Sequence, residues 1–139
     1  MDYLYSLGLR HFDGVWIQSE PAPNTALQAA WIVDQIENLN IHDLALVVSP
    51  YHMPRVYLTV LKAMNRRGVR VPVIPAPVAV PPDRTVPESG GTAHDLLPGE
   101  VHRILKYIDE GWVATPEELR HYLGWLWRHR QSELVRKPA

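Results

Sequence analysis

Leu44 to Val48 form an unbroken apolar run that stops at Ser49, and a helix-period pattern opens behind it at Met53. A continuous run of that length suits a strand covered on both faces, as in the middle of a parallel sheet. A parallel neighbour requires a crossover, and the helical segment that follows supplies one. This part of the chain is therefore constrained to a strand, a helix and a second strand. Open α/β sheets place their ligands where such a strand hands over to its helix, which here is Ser49-Pro50-Tyr51-His52-Met53-Pro54-Arg55.

The flanking sequence extends the same alternation. Residues 2 to 9 read as the closing turns of a helix stopped near Gly8, and Gly14 to Ile17 as a short buried strand. A loop with Pro21 and Pro23 leads to Asn24-Thr25. Thr25 and Gln28 have the spacing of a capping box, and Ala26, Ala29, Ala30, Val33 and Ile36 make an apolar stripe that should end near Asn38. The next helix is expected from Met53 to Arg67, with Val56, Tyr57, Val60, Leu61 and Met64 on one side and Gly68 as a left-handed stop. Val69 to Ile74 reads as an edge strand, because Pro72 has no N–H to give a ladder.

Residues 75–99 hold Pro75, Pro77, Pro81, Pro82, Pro87 and Pro98 with Ser89-Gly90-Gly91-Thr92, and so are expected to be one long loop or lid. A helix over Pro98 to Glu110 follows. Thr115-Pro116-Glu117-Glu118 then gives a cap, a first-turn proline and a reciprocating acid, opening a helix that turns Leu119, Tyr122, Leu123 and Leu126 inward. With 139 residues and 46% apolar content, there is enough chain for one core and too little for two. The expectation is a single α/β domain over residues 1–139, a Rossmann-like three-layer sandwich with a short parallel sheet, incomplete on its own.

Charge and inventory exclude several functions. A formal net charge of -1 argues against nucleic acid as partner, which calls for a basic face. The chain has no cysteine, which removes thiolate metal sites and thiol nucleophiles. No apolar run nears the roughly 20 residues of a membrane span, and Met1-Asp2-Tyr3-Leu4 lacks the basic and apolar regions of a secretory leader. The chain thus reads as cytoplasmic, without a membrane span. Ser19 to Thr25 and Ser49 to Arg55 each follow a strand and precede its helix, so both reach the same edge of the sheet. Free N–H groups and the helix dipole there favour an anionic small molecule.

Ser19-x-x-x-x-Asn24-Thr25, followed by Val47-Val48-Ser49-Pro50-Tyr51-His52-Met53-Pro54-Arg55, resembles the two signature segments of the ElyC/SanA/YdcF-like family, a Rossmann-like bacterial domain of unknown function. Glu118-Leu119-Arg120-His121-Tyr122-Leu123-Gly124-Trp125 is similar to that family's last helix. The resemblance covers most of the chain and matches the C-terminal two-thirds of such a domain, without the strand and Gly-rich segment that usually come first. It implies envelope-related metabolism and a nucleotide-like, phosphorylated or S-adenosylmethionine-like ligand held by Asn24, Thr25, Ser49, Tyr51 and Arg55, with His52 as the acid-base candidate. The family's usual acid and amide after the Asn-Thr pair are replaced here by Leu27 and Gln28. A sheet lacking its first strand also implies a homo-oligomer. The competing reading is a non-catalytic interaction module that has kept only the crevice.

Each candidate also has an ordinary structural reading. Asn24, Thr25 and Ser49 are good helix-start residues, and capping can coexist with ligand contact. His52 in a first helical turn is disfavoured as a cation by the dipole, so a neutral ring is expected. The planar fork of Arg55 fits a phosphate or carboxylate and equally fits an ion pair. His102, His121 and His129 have no second ligand at metal spacing and read as solvated, so no metal site is expected. Trp125 and Trp127 beside Arg128 and Arg130 fit packing better than a membrane interface. Asp83, Arg84, Glu88 and His94 belong either to a lid or to a linker.

Overall fold

The computed structural model describes residues 24–87 and 89–136, together with Ser6. The expected first helix (apart from Ser6, which is helical), the Gly14 to Ile17 strand, Ser19 and Glu88 lie outside the described residues. Within them the order is α1 (Thr25–Asn38), β1 (Leu44–Leu46), α2 (Met53–Arg67), β2 (Val73–Pro75), α3 (Ala93–Asp109) and α4 (Pro116–Arg136). The protein is mixed α/β, and β1, α2 and β2 make one parallel unit with Leu44 opposite Val73 and Leu46 opposite Pro75.

Helix α2 has the expected bounds. Its apolar face buries Val56, Val60, Leu61 and Met64 against Ala29, Val33 and Ile36 of α1 and against Leu46, Val71 and Val73 beneath. Gly68 ends it at φ 66, a left-handed turn that an L side chain adopts only with strain.

Both strands differ from expectation. β1 is shorter than Leu44 to Val48 and is not covered on both faces among the described residues, since Ala45 and Val47 are exposed. β2 begins four residues later than Val69. The pairing nevertheless continues beyond the regular strands, with Ala76 N–H donating to Leu46 C=O (2.8 Å) and Val78 N–H to Val48 C=O (2.9 Å). Even-numbered residues of this segment thus face β1, and odd-numbered ones face outward. On the outward side the Tyr122 hydroxyl accepts from Val73 N–H (2.7 Å) and donates to Val71 C=O (2.8 Å). Tyr57 donates to Val73 C=O (3.1 Å). Pro75 and Pro77 fall on the same side and have no N–H to offer, so this edge of β2 has Val71 C=O and both Val73 groups occupied and two prolines beyond them.

The loop predicted over 75–99 is cut short by α3, which starts at Ala93 instead of Pro98. Thr92 caps it, the Thr92 hydroxyl accepting from Asp95 N–H while the Asp95 carboxylate accepts from Thr92 N–H, and Pro98 sits inside the helix. The only buried residue of α3 is Glu100. Its C-terminus turns through Gly111 at φ 77, and Ala114 N–H anchors the exit to Leu58 C=O of α2 (3.1 Å). Helix α4 starts where Thr115 and Glu118 predict, each accepting from the other's backbone N–H. Tyr122 enters the core, with Leu119 and Leu126 against it, whereas Leu123 is 46% exposed and not inward. Trp125 stacks on His129 at 5.1 Å between ring centroids. Among the described residues, no helix is long and apolar enough to cross a membrane.

Candidate functional site

The opening of α1 and the first turn of α2 come together through Arg55. Asn24, in extended backbone, caps α1 by accepting Leu27 N–H at 2.9 Å. This displaces the expected Thr25–Gln28 box by one residue, because Thr25 is already the first helical residue. Its hydroxyl instead accepts from Arg55 Nη1 at 3.0 Å.

Ser49 acts through its backbone, its C=O accepting the N–H groups of His52 and Met53 (both 3.0 Å). It does not cap α2 with its hydroxyl, and neither does His52, which precedes the helix in right-handed backbone. Tyr51 is half-buried beside His52, their ring centroids 6.3 Å apart.

Arg55 is the hub of the cluster. Its Nε donates to Glu100 Oε2 at 2.5 Å and its Nη2 to Glu100 Oε1 at 3.1 Å, a two-pronged pair that crosses from α2 to α3. Nη2 also lies 3.2 Å from His52 Nδ1, which itself is 3.4 Å from Glu100 Oε2. A neutral His52 with its proton on Nε2 accepts from Arg55; an imidazolium would donate to Glu100 instead. The Glu100 side chain is only 7% exposed and that of Arg55 14%. Burial pushes the Glu100 carboxyl up, but the Arg55 hydrogen bonds and charge, with His52 beside them, hold it below the usual carboxylate range. Arg103 adds a looser contact at 3.3 Å.

On the Thr25 side of this hub lies a cavity of about 460 Å³. Asn24, Thr25 and Arg55 line one part of it, and Tyr107, Glu110 and Trp112 another. Gly111 makes the second group possible, because its left-handed turn lets Trp112 N–H reach back to Tyr107 C=O (2.9 Å). The guanidinium of Arg66 lies 4.7 Å over the Trp112 ring and donates to Gly111 C=O. Glu110 is 45% exposed, with Lys106 Nζ at 3.9 Å. A smaller hollow of about 140 Å³ shares Leu27 and Trp112 and reaches Ala30 and Ala63.

The structure therefore gathers Asn24, Thr25 and Arg55 at one cavity. Ser49, Tyr51 and His52 do not line it; His52 reaches it only through Arg55. Sequence reasoning missed Glu100, Tyr107, Glu110 and Trp112. One signal was present: Leu96, Glu100, Ile104 and Tyr107 share a helix face, so an acid stands inside an apolar stripe. Among the described residues, no three His, Asp or Glu side chains gather in a way that could hold a metal ion. Comparison of the chain with family models, curated proteins and solved structures finds no match.

Proposed function

We propose that this protein binds a nucleoside- or nucleotide-like small molecule in the cavity between the start of α1, Arg55 and the end of α3, as a Rossmann-like domain of the ElyC/SanA/YdcF-like type. One observation carries the reading: a cavity of about 460 Å³ combines the aromatic side chains Tyr107 and Trp112 with Thr25, Arg55 and Glu110. That volume and that mixture of apolar wall and few polar groups are what small-molecule sites have. Binding is favoured over catalysis, because His52, the acid-base candidate, is engaged with Arg55 and is not on the cavity wall. The carboxylate beside Arg55 comes from Glu100 on α3, whereas the resemblance puts an acid near the position that Leu27 holds.

Thermal-shift and calorimetric titrations with adenosine, adenine nucleotides and S-adenosylmethionine test this. Saturation at 100-fold above Kd is expected to stabilise the protein by about 2.7 kcal/mol. Leu27→Trp, which fills the cavity from an exposed position, is expected to abolish the effect. No shift with any of the compounds, or an equal shift in Leu27→Trp, would sink the reading. A second reading, an interaction module that self-associates, is favoured by one feature. Leu97, Val101 and Leu105, one turn apart on α3, are 45%, 50% and 61% exposed.

A further inference from the structure

The cavity has an electrostatic character that its arginine conceals. Arg55 offers five N–H donors in a fixed fork. Four are taken among the described residues: two by Glu100, one by His52 and one by Thr25. The fifth is on Nη1, the nitrogen that also meets Thr25. Arg55 thus brings one free donor to the cavity, and its positive charge is already matched by a buried carboxylate. The Thr25 hydroxyl, which accepts from Nη1, keeps its own hydrogen to donate. Together they offer two donors to one acceptor atom, enough for a carbonyl, a ring nitrogen or a hydroxyl oxygen.

Unlike Glu100, the carboxylate of Glu110 belongs to the cavity wall itself, with Lys106 Nζ in a loose contact at 3.9 Å. It wants donors, and a pair of vicinal hydroxyls supplies them, as when an acidic side chain holds a ribose. The start of α1 has no acid in its first turn and contributes about half a positive charge; with Arg55 and Glu100 matching each other, Glu110 is, among the described residues, the one full charge left on the cavity wall. A phosphate carries about -1.5 to -2 at neutral pH. To reach Nη1 it must approach a guanidinium whose other edge is occupied by Glu100, inside a cavity that also holds Glu110.

We infer that the cavity takes an uncharged, ring-bearing polyol of the nucleoside class and discriminates against its phosphorylated form, with Glu100 as the built-in anion that fills the Arg55 fork. In that arrangement the base lies against Tyr107 and Trp112, the sugar hydroxyls meet Glu110, and a neutral acceptor meets Thr25 and Arg55. Glu100 is a positioning residue: it touches no ligand and sets the charge Arg55 presents. This inference rests on the binding role proposed above, and the two fail differently.

The test is calorimetric titration of the full chain with adenosine, adenosine 5′-monophosphate and ribose 5-phosphate. Adenosine is expected to bind at least about ten-fold more tightly than its monophosphate, and ribose 5-phosphate not measurably. Glu100→Gln should raise affinity for the monophosphate about ten-fold while changing that for adenosine by less than about three-fold, a selectivity change that mere loosening of α3 would not give. Should Glu100→Gln not fold, Glu110→Gln, at an exposed site, is expected to shift the ratio of the two affinities the same way. Tighter binding of the monophosphate by the native chain, or an unchanged ratio in the folded variant, overturns the inference and leaves the binding role standing. No binding of adenosine or its monophosphate overturns the inference, and no binding of S-adenosylmethionine either overturns the binding role with it.

Discussion

Burial strips water from the Glu100 carboxylate, and Arg55 and His52 replace it with hydrogen bonds. A pair this enclosed adds little net stability when intact, but removing one partner leaves a charge with nothing to balance it, at a cost of about 3 kcal/mol or more. Arg55→Ala should therefore lower the urea midpoint strongly. The Arg55→Ala, Glu100→Leu double variant should recover much of the loss; a double variant as unstable as the sum of the singles would refute the coupling. The pH dependence has a definite sign. The Glu100 carboxyl is depressed in the folded protein, so its contribution is present above its unfolded value of about 4.3 and fades as pH falls through the lower folded value. In Glu100→Leu that acid sensitivity should flatten. Arg55, Thr25 and Asn24 were legible in the sequence because they stand at helix starts behind loops, where side chains are free to converge. Glu100 was not, because a glutamate mid-helix usually faces water, and only its register with Leu96, Ile104 and Tyr107 marks it as inward.

Helix ends decide how well the elements can be read. Local chemistry sufficed wherever one start signal stood alone. At Thr115 to Glu118 the reciprocal caps form as expected, and Glu118 is tied down further by Lys62 Nζ at 2.8 Å. Thr115→Ala should cost about 1 kcal/mol in denaturant unfolding, and a cost near zero would mean that Lys62 alone holds the junction. Two signals competed at α3. Pro98 favoured a first-turn position, yet the Thr92–Asp95 box five residues earlier wins, and the helix runs through the proline with one donor missing. Strand β2 starts later than Val69 because its pairing begins opposite Leu44, and its outer side is held by Tyr122, a residue 49 positions away from Val73 that no local pattern connects to it.

At the scale of the whole molecule, the alternation of strands and helices gave the α/β class, and packing of α1 on α2 follows from their stripes. How α3 is held does not follow from any stripe: among its residues only Glu100 is buried, and its outward Leu97, Val101 and Leu105 face solvent. That ridge predicts concentration-dependent self-association. Sedimentation velocity should show it in the micromolar range and Val101→Lys should remove it, whereas a monomer at every concentration would rule it out. The tyrosine clasp on the outer edge of β2 has a further consequence at high pH. Burial raises the phenol pKa of both Tyr57 and Tyr122, so the bonds they donate to Val73 and Val71 persist beyond the point where ordinary tyrosines ionise. Their stabilisation is complete below an unfolded value of about 10 and is lost as pH climbs through the raised folded values. A phenolate has no hydrogen to donate, so strong base would unclasp both carbonyls at once, and two of the six tyrosines should turn to phenolate only as the sheet comes apart.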